Sequence, residues 1–158
     1  MRRLKIYLET TMFNFYFDTE RDAHAYTVKL FSEIAAGKYE AFTSETVLVE
    51  LRKAPAEKQK KMLDLILDYK IPILESSADA EKLADIYVRE GVVPLKYRTD
   101  GLHIALAAVN GMDMIISMNF QHIVKRKTER MTAAINTLSG YSTIEISTPM
   151  EVVEIEAE

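Results

Sequence analysis

The chain has 158 residues, of which 48% are hydrophobic and 28% charged, with a formal net charge of −4. This composition is typical of one globular domain and too apolar for a disordered chain. Cysteine is absent, which excludes disulfides, thiolate metal sites and cysteine nucleophiles and favours a reducing cytoplasm. The net negative charge argues against a protein that binds nucleic acid through its overall field.

Five short runs rich in β-forming residues predict strands, and helical patterns separate them. In chain order they are residues 4–8, 39–43, 71–74, 114–117 and 143–146. This alternation predicts a parallel sheet, and the continuously apolar runs predict helices on both of its faces. We therefore expect an α/β fold, a three-layer α/β/α sandwich with a central parallel sheet of four to five strands. It would occupy residues 1–150 and be followed by an acidic tail, residues 151–158.

The helical segments carry apolar stripes, and glycines mark where these stripes stop. The stripes are Tyr26, Leu30 and Ile34; Met62, Ile66 and Tyr69; Ala80, Leu83, Ala84 and Tyr87; and Leu102, Ala105, Leu106 and Val109. Gly37, Gly91, Gly111 and Gly140 follow them, as expected of helix C-termini that need a left-handed residue.

Several functions are excluded by missing motifs and segments. No P-loop, no dinucleotide-binding G-x-G-x-x-G and no G-x-S-x-G elbow is present. Polar residues interrupt the N-terminal run before a signal peptide forms, and no stretch approaches the ~18 apolar residues of a membrane span. Two segments, residues 52–61 and 121–130, are locally basic; they are either phosphate contacts or solvated helix faces.

Oxygen-bearing side chains lie near predicted strand ends. Glu9 follows the first strand and Asn119 the fourth. Glu50 lies in the helix after the second strand, which Thr43 or Ser44 would cap, and Asp100 opens a helix with Thr99 as its expected N-cap. Ligands of parallel sheets bind beyond the carboxyl ends of the strands.

Three carboxylates and an amide in one crevice would repel each other without a cation, and Mg²⁺ or Mn²⁺ is the expected occupant. Each residue also has a structural interpretation, as a turn former, a surface charge or a helix-dipole partner.

Two further groups of side chains have open interpretations. The histidines lack metal-ligand spacing, so we expect His103 and His122 to pack at helix borders, with His122 a weaker candidate for a phosphate contact. The aromatic residues around the first helix are expected mainly to pack in the core, although base stacking or a partner contact is the alternative. They are Phe13, Phe15, Tyr16 and Phe17.

Four segments resemble the motif blocks of PIN-domain proteins, in their usual order. They are residues 6–11 (IYLETT), 44–51 (SETVLVEL), 99–107 (TDGLHIALA) and 116–123 (ISMNFQHI). The chain is most similar to the small prokaryotic, VapC-like members, many of which are toxin ribonucleases of toxin-antitoxin pairs. The resemblance implies a homodimeric, metal-dependent endoribonuclease that acts on RNA, with an antitoxin protein as a partner.

By the same resemblance Glu9, Glu50, Asp100 and Asn119 occupy the catalytic positions. Glu9, Asp100 and Asn119 would bind the metal, and the small hydroxyl residues Thr10 and Ser117 would lie beside the substrate. Glu9 stands where the family normally has aspartate, and its extra methylene alters the reach of the carboxylate. The alternative is therefore a catalytically degenerate PIN domain that binds RNA or protein, and a structure-specific DNA nuclease is a lesser one.

Overall fold

A five-stranded parallel sheet forms the centre of the computed structural model, which describes residues 2–155. Its strands are β1 (Leu4–Leu8), β2 (Tyr39–Ser44), β3 (Ile73–Leu74), β4 (Met114–Ile116) and β5 (Glu145–Ser147). Their spatial order is β3-β2-β1-β4-β5, and every neighbouring pair is parallel. Ile6, Tyr7 and Leu8 are fully buried, because β1 is central and helices flank the sheet. The predicted sandwich is confirmed.

Eight α-helices flank the sheet within residues 2–155. They are α1 (Thr10–Phe17), α2 (Ala23–Ala35), α3 (Glu45–Leu51), α4 (Ala56–Asp68), α5 (Ala78–Arg89), α6 (Arg98–Val109), α7 (Arg126–Leu138) and α8 (Pro149–Val152). A 3₁₀-helix, Leu95–Tyr97, leads into α6. Glycines 37, 91, 111 and 140 all have positive φ after helices, which confirms the predicted helix ends.

Helix α6 differs from its predicted one-sided stripe. Every residue from Gly101 to Ala108 is buried, since α6 contacts α3, α5 and β4. Gly101 lies against Val93 and Tyr87, and a Cβ built on it would be 3.1 Å from Val93 Cγ2. The absent side chain therefore permits close packing of this helix.

The third strand is shorter than predicted. Lys70 has a left-handed φ of 54°, and the Ile71 N–H donates to the carbonyl of Ile66 at the end of α4. Pro72 has no N–H and contributes only its carbonyl, which accepts from Thr43 N. The ladder therefore begins at Ile73.

The C-terminal part of the described chain packs on α2. Helix α8 begins with Thr148 as N-cap in a capping box and contacts α2, and Val153 is 2% exposed. The described structure thus continues past residue 150. The division at that residue stays a prediction, and residues 156–158 of the predicted tail lie outside the described part.

The aromatic residues of α1 pack mainly inward, as expected. Phe13 is fully buried against Phe31, and Tyr16 makes edge contacts with Phe17, Phe31 and Tyr69. Among residues 2–155, no helix has the length and apolarity that a membrane crossing requires.

Candidate metal centre

The carboxyl ends of β1, β2 and β4 meet because these strands are neighbours. Glu9 follows β1 directly, and its N–H donates to the carbonyl of Ile116 in β4 at 3.1 Å. Ser44 ends β2, and Ser117 follows β4. This edge of the sheet is where ligands of parallel α/β folds bind.

Glu9 is 3% exposed and is the N-cap of α1. Its Oε1 accepts from the Thr11 N–H at 3.1 Å, from Thr11 Oγ1 at 2.5 Å and from Ser117 Oγ at 2.7 Å. The glutamate side chain is therefore folded back onto the first turn of its own helix. This contact accommodates the methylene by which Glu9 exceeds aspartate.

Glu50 lies on α3, and Ser44 rather than Thr43 caps that helix by accepting from Val47 N at 3.2 Å. Glu50 Oε1 accepts from Thr10 Oγ1 at 2.6 Å and from His103 Nε2 at 2.5 Å. Burial acts to raise the pKa of Glu50, but the hydrogen bonds from His103 and Thr10 and the charge of His103 hold that pKa below its ordinary value. The carboxylate is therefore ionised at neutral pH.

His103 is fully buried behind Glu50. Its Nδ1 is 2.7 Å from the hydroxyl of Tyr7, which is itself 2.7 Å from Ser44 Oγ. Burial acts to lower the pKa of His103, but the hydrogen bond to Glu50 and the nearby carboxylate charges outweigh it and raise that pKa. Burial also raises the pKa of Tyr7, which keeps its hydroxyl protonated.

The sequence prediction missed the part played by His103, which we expected only to pack at a helix border. The signal that identifies it is its spacing from Asp100: residues three apart lie on the same helix face. On α6 this spacing directs His103 towards the carboxylates.

The two acids are suited to a hard divalent cation. All the hydrogen bonds that their side chains accept within residues 2–155 use Oε1, and each Oε2 has no hydrogen-bond partner there. In the same residues Asn136 Nδ2 is the one solvent-inaccessible side-chain polar atom without a hydrogen-bond partner. Both Oε2 atoms, which also lack a partner, are therefore accessible to solvent. One ligand atom each from Glu9, Glu50 and His103 lies within 4.8 Å of the others. Both nitrogens of His103 are engaged, so the carboxylates are the better ligands.

Asp100 and Asn119 are joined through His122. Asp100 Oδ2 is 2.9 Å from His122 Nδ1, and Asn119 Oδ1 accepts from the His122 N–H at 3.0 Å. The Asn119 N–H donates to Ser117 Oγ at 2.9 Å. Ser117 therefore connects this second group to Glu9. The ligand roles predicted for Asp100 and Asn119 stay predictions.

The prediction that Thr99 caps the helix of Asp100 is wrong. Helix α6 begins at Arg98, and its N-cap Tyr97 makes no side-chain capping bond. The helix starts early because the 3₁₀-helix runs directly into it and because Arg98 binds Glu81 and Asp85 of α5. Asp100 consequently lies within the first turn.

Fold and site together define a parallel α/β protein with a carboxylate cluster at the carboxyl edge of its sheet. The family model described as PIN domain matches residues 6–127. The chain belongs to the PIN-domain family.

Two solved structures share the fold. A chain in the crystal structure of VapBC2 from Rickettsia felis bound to a DNA fragment from their promoter is 15% identical, with a TM-score of 0.57; the match covers 92% of this chain and 98% of that one. A chain of VapBC-5, a member of the VapBC family of toxin-antitoxin systems from Mycobacterium tuberculosis, is 17% identical, with a TM-score of 0.51; that match covers 91% and 98%. No curated protein matches the sequence significantly.

Proposed function

We propose that this protein is a Mg²⁺- or Mn²⁺-dependent endoribonuclease. The observation that carries the proposal is the pair Glu9 and Glu50, each hydrogen-bonded through Oε1 and each with an Oε2 that has no hydrogen-bond partner within residues 2–155. Membership of the PIN-domain family supports it. Two oriented carboxylates at a ligand-binding edge are the groups that a hard cation requires.

The residues have different parts in this proposal. Glu9, Asp100 and Asn119 would bind the ion, and Glu50 would bind it or orient its attacking water. The ion would supply a nucleophilic water at neutral pH and neutralise charge on the displaced phosphate oxygens. His103 holds Glu50, and the hydroxyls of Thr10 and Ser117 hold the two acids. Contact of these hydroxyls with the substrate stays a prediction.

Cleavage of a mixed RNA pool in Mn²⁺, in Mg²⁺ and in excess chelator tests the proposal. Asp100→Ala and Glu50→Gln should each lose at least about a hundred-fold in rate, as expected for groups that act on the reacting centre. Glu20→Ala, which removes one exposed acid from a turn, is the matched control. Metal-dependent cutting that Asp100→Ala leaves intact would contradict the proposed site.

The degenerate-domain alternative predicts a different result in the same assay. RNA would bind with a salt-dependent affinity but remain uncut in either metal. Glu9→Asp then separates the causes: cutting gained by this variant assigns the inactivity to the longer side chain. Branched DNA run beside RNA tests the third candidate, a structure-specific DNA nuclease.

The proposal extends to a toxin of a type II toxin-antitoxin pair. Two chains of similar fold come from VapBC structures, and the carboxylate centre suits an antitoxin that presents an arginine to it. A cytoplasmic homodimer is part of the same proposal. Light scattering after size exclusion tests the dimer, and induction of the protein alone in a bacterial host tests toxicity.

A further inference from the structure

A cluster of exposed cations lies at the start of α7. We call Lys125, Arg126, Lys127 and Arg130 the cationic cluster; all four are exposed. Within residues 2–155, none of the four takes part in an ion pair. In a chain of net charge −4, such a concentration of positive charge is local rather than a property of the whole surface.

Helix stability does not account for this cluster. Cations at a helix N-terminus oppose the macrodipole and reduce stability, and Lys125 is the N-cap of α7 without a side-chain capping bond. Glu129, the single acid from residue 119 to 130, is directed to the sheet, where its Oε2 accepts from Ile146 N at 2.8 Å. The four charges therefore lack compensation from their own segment.

The cationic cluster is continuous with the candidate metal centre. The turn that begins at Asn119 reaches it directly, and the Lys125 N–H donates to the carbonyl of Ile123 at 2.9 Å. Within this turn His122 pairs with Asp100 and stacks on Tyr97 at a centroid separation of 4.2 Å.

Two exposed aromatic rings border this turn. Phe120 lies next to Asn119 in the chain and is 51% exposed, and Tyr97 is 37% exposed. Exposed aromatic rings beside cations are the combination by which proteins hold single-stranded nucleic acid, through base stacking and phosphate contacts.

We propose that a single RNA strand leaves the metal centre across the turn of residues 119–124 and is bound by the cationic cluster. The bases would stack on Phe120 and on the Tyr97–His122 pair, while Arg126 and Lys127 contact phosphates. The inference rests on the proposed function, because it assigns the path of that enzyme's substrate. The inference adds that RNA affinity depends on the cationic cluster, which lies on one side of the candidate metal centre.

The test measures RNA binding in excess chelator, where a metal-dependent enzyme does not cut. Single-stranded RNA and DNA oligonucleotides of one mixed sequence are titrated over a range of salt concentrations. The variant is Arg126→Ala/Lys127→Ala, and the matched control is Lys29→Ala/Lys82→Ala, which removes one exposed cation each from α2 and α5. Melting temperatures establish that both variants are folded; removing cations from the start of α7 should, if anything, stabilise it.

We expect the α7 variant to bind RNA roughly ten-fold more weakly at 0.1 M salt. The slope of log affinity against log salt concentration should fall in magnitude by about 1.4, because each of the two lost single-strand phosphate contacts contributes about 0.7. The control variant should keep the wild-type slope, and Phe120→Ala should weaken binding about five-fold or more without changing the slope. An unchanged slope in the α7 variant, an equal loss in the control, or tighter binding of DNA than of RNA would overturn the inference. This binding assay does not measure cleavage, which the assay in Mn²⁺ and Mg²⁺ tests separately. A wild-type protein that binds RNA in this way but cuts it in neither metal would contradict the proposed nuclease function and leave the inferred RNA path standing.

Discussion

Removing the hydroxyl of Tyr7 should loosen the support of the candidate metal centre without disturbing the core. Tyr7 is fully buried, and its hydroxyl contacts Ser44 Oγ and His103 Nδ1, each at 2.7 Å. In Tyr7→Phe the ring still fills its site, but a fully buried ring nitrogen of His103 loses its partner. A buried polar group left unpaired costs about 1–3 kcal/mol, and each hydrogen bond contributes about 1 kcal/mol net.

We therefore expect Tyr7→Phe to lower the free energy of unfolding by about 2 kcal/mol. For a domain of this size that corresponds to a fall in Tm of roughly 4–8 °C. Urea unfolding followed by far-UV circular dichroism measures the change, which should appear in the midpoint and not in the slope. The matched control is Tyr26→Phe, because the Tyr26 side chain is half-buried on α2 and makes no hydrogen bond in the described chain.

The control should stay within about 0.5 kcal/mol of the wild type, as is usual away from buried polar networks. If Tyr7→Phe were as stable as Tyr26→Phe, the hydrogen bonds of the Tyr7 hydroxyl to Ser44 and His103 would contribute nothing to the free energy of unfolding. The position of His103 beside Glu50 would then not depend on the Tyr7 hydroxyl.

Two further predictions concern positions away from the centre. Asp113 accepts from Lys5 N at 2.8 Å and pairs with Arg2, whose hydrogen bond holds the pKa of Asp113 below its ordinary value. Asp113→Asn should therefore lower the free energy of unfolding by about 1 kcal/mol at pH 7. In urea titrations this difference should shrink as the pH falls below the ordinary aspartate pKa of about 3.9, because the stabilisation exists only while the carboxylate is charged. In Gly101→Ala the gain in helix propensity, at most about 1 kcal/mol, should be cancelled by the 3.1 Å contact with Val93; a melting temperature raised by the full gain would show that Val93 moves aside freely.

The central strand β1 and the positions of Glu9 and Glu50 were predictable because they depend on local sequence. Residues 6–8 form an apolar run, as expected of a buried central strand, and the structure places β1 at the predicted residues 4–8. Glu9 follows at once and therefore had to lie at the carboxyl edge of the sheet. Glu50 was placed by its helix after β2, whose start Ser44 marks with a capping side chain.

Apart from the spacing that places His103 on the helix face of Asp100, the support around the acids was not predictable, because it depends on tertiary contacts. Residues 101–108 of α6 are buried on every side, so no polar face distinguished His103 from its apolar neighbours. The early start of α6 has a similar cause: Arg98 is held by two acids of α5, and a propensity rule that reads only Thr99 and Asp100 does not register this contact.

The chemistry of the groups that hold the acids is itself informative about the centre. Glu9 is held by hydroxyls and one backbone N–H, and Glu50 by a hydroxyl and an imidazole. An arginine in their place would form a bidentate pair and occupy both carboxylate oxygens. Hydroxyl donors fix one oxygen without adding a positive charge and leave the second oxygen open. His103 offsets part of the repulsion between the acids from behind, where its ring nitrogens are already engaged. The centre thus keeps its carboxylates oriented, each with one oxygen available, as a divalent cation requires of its ligands.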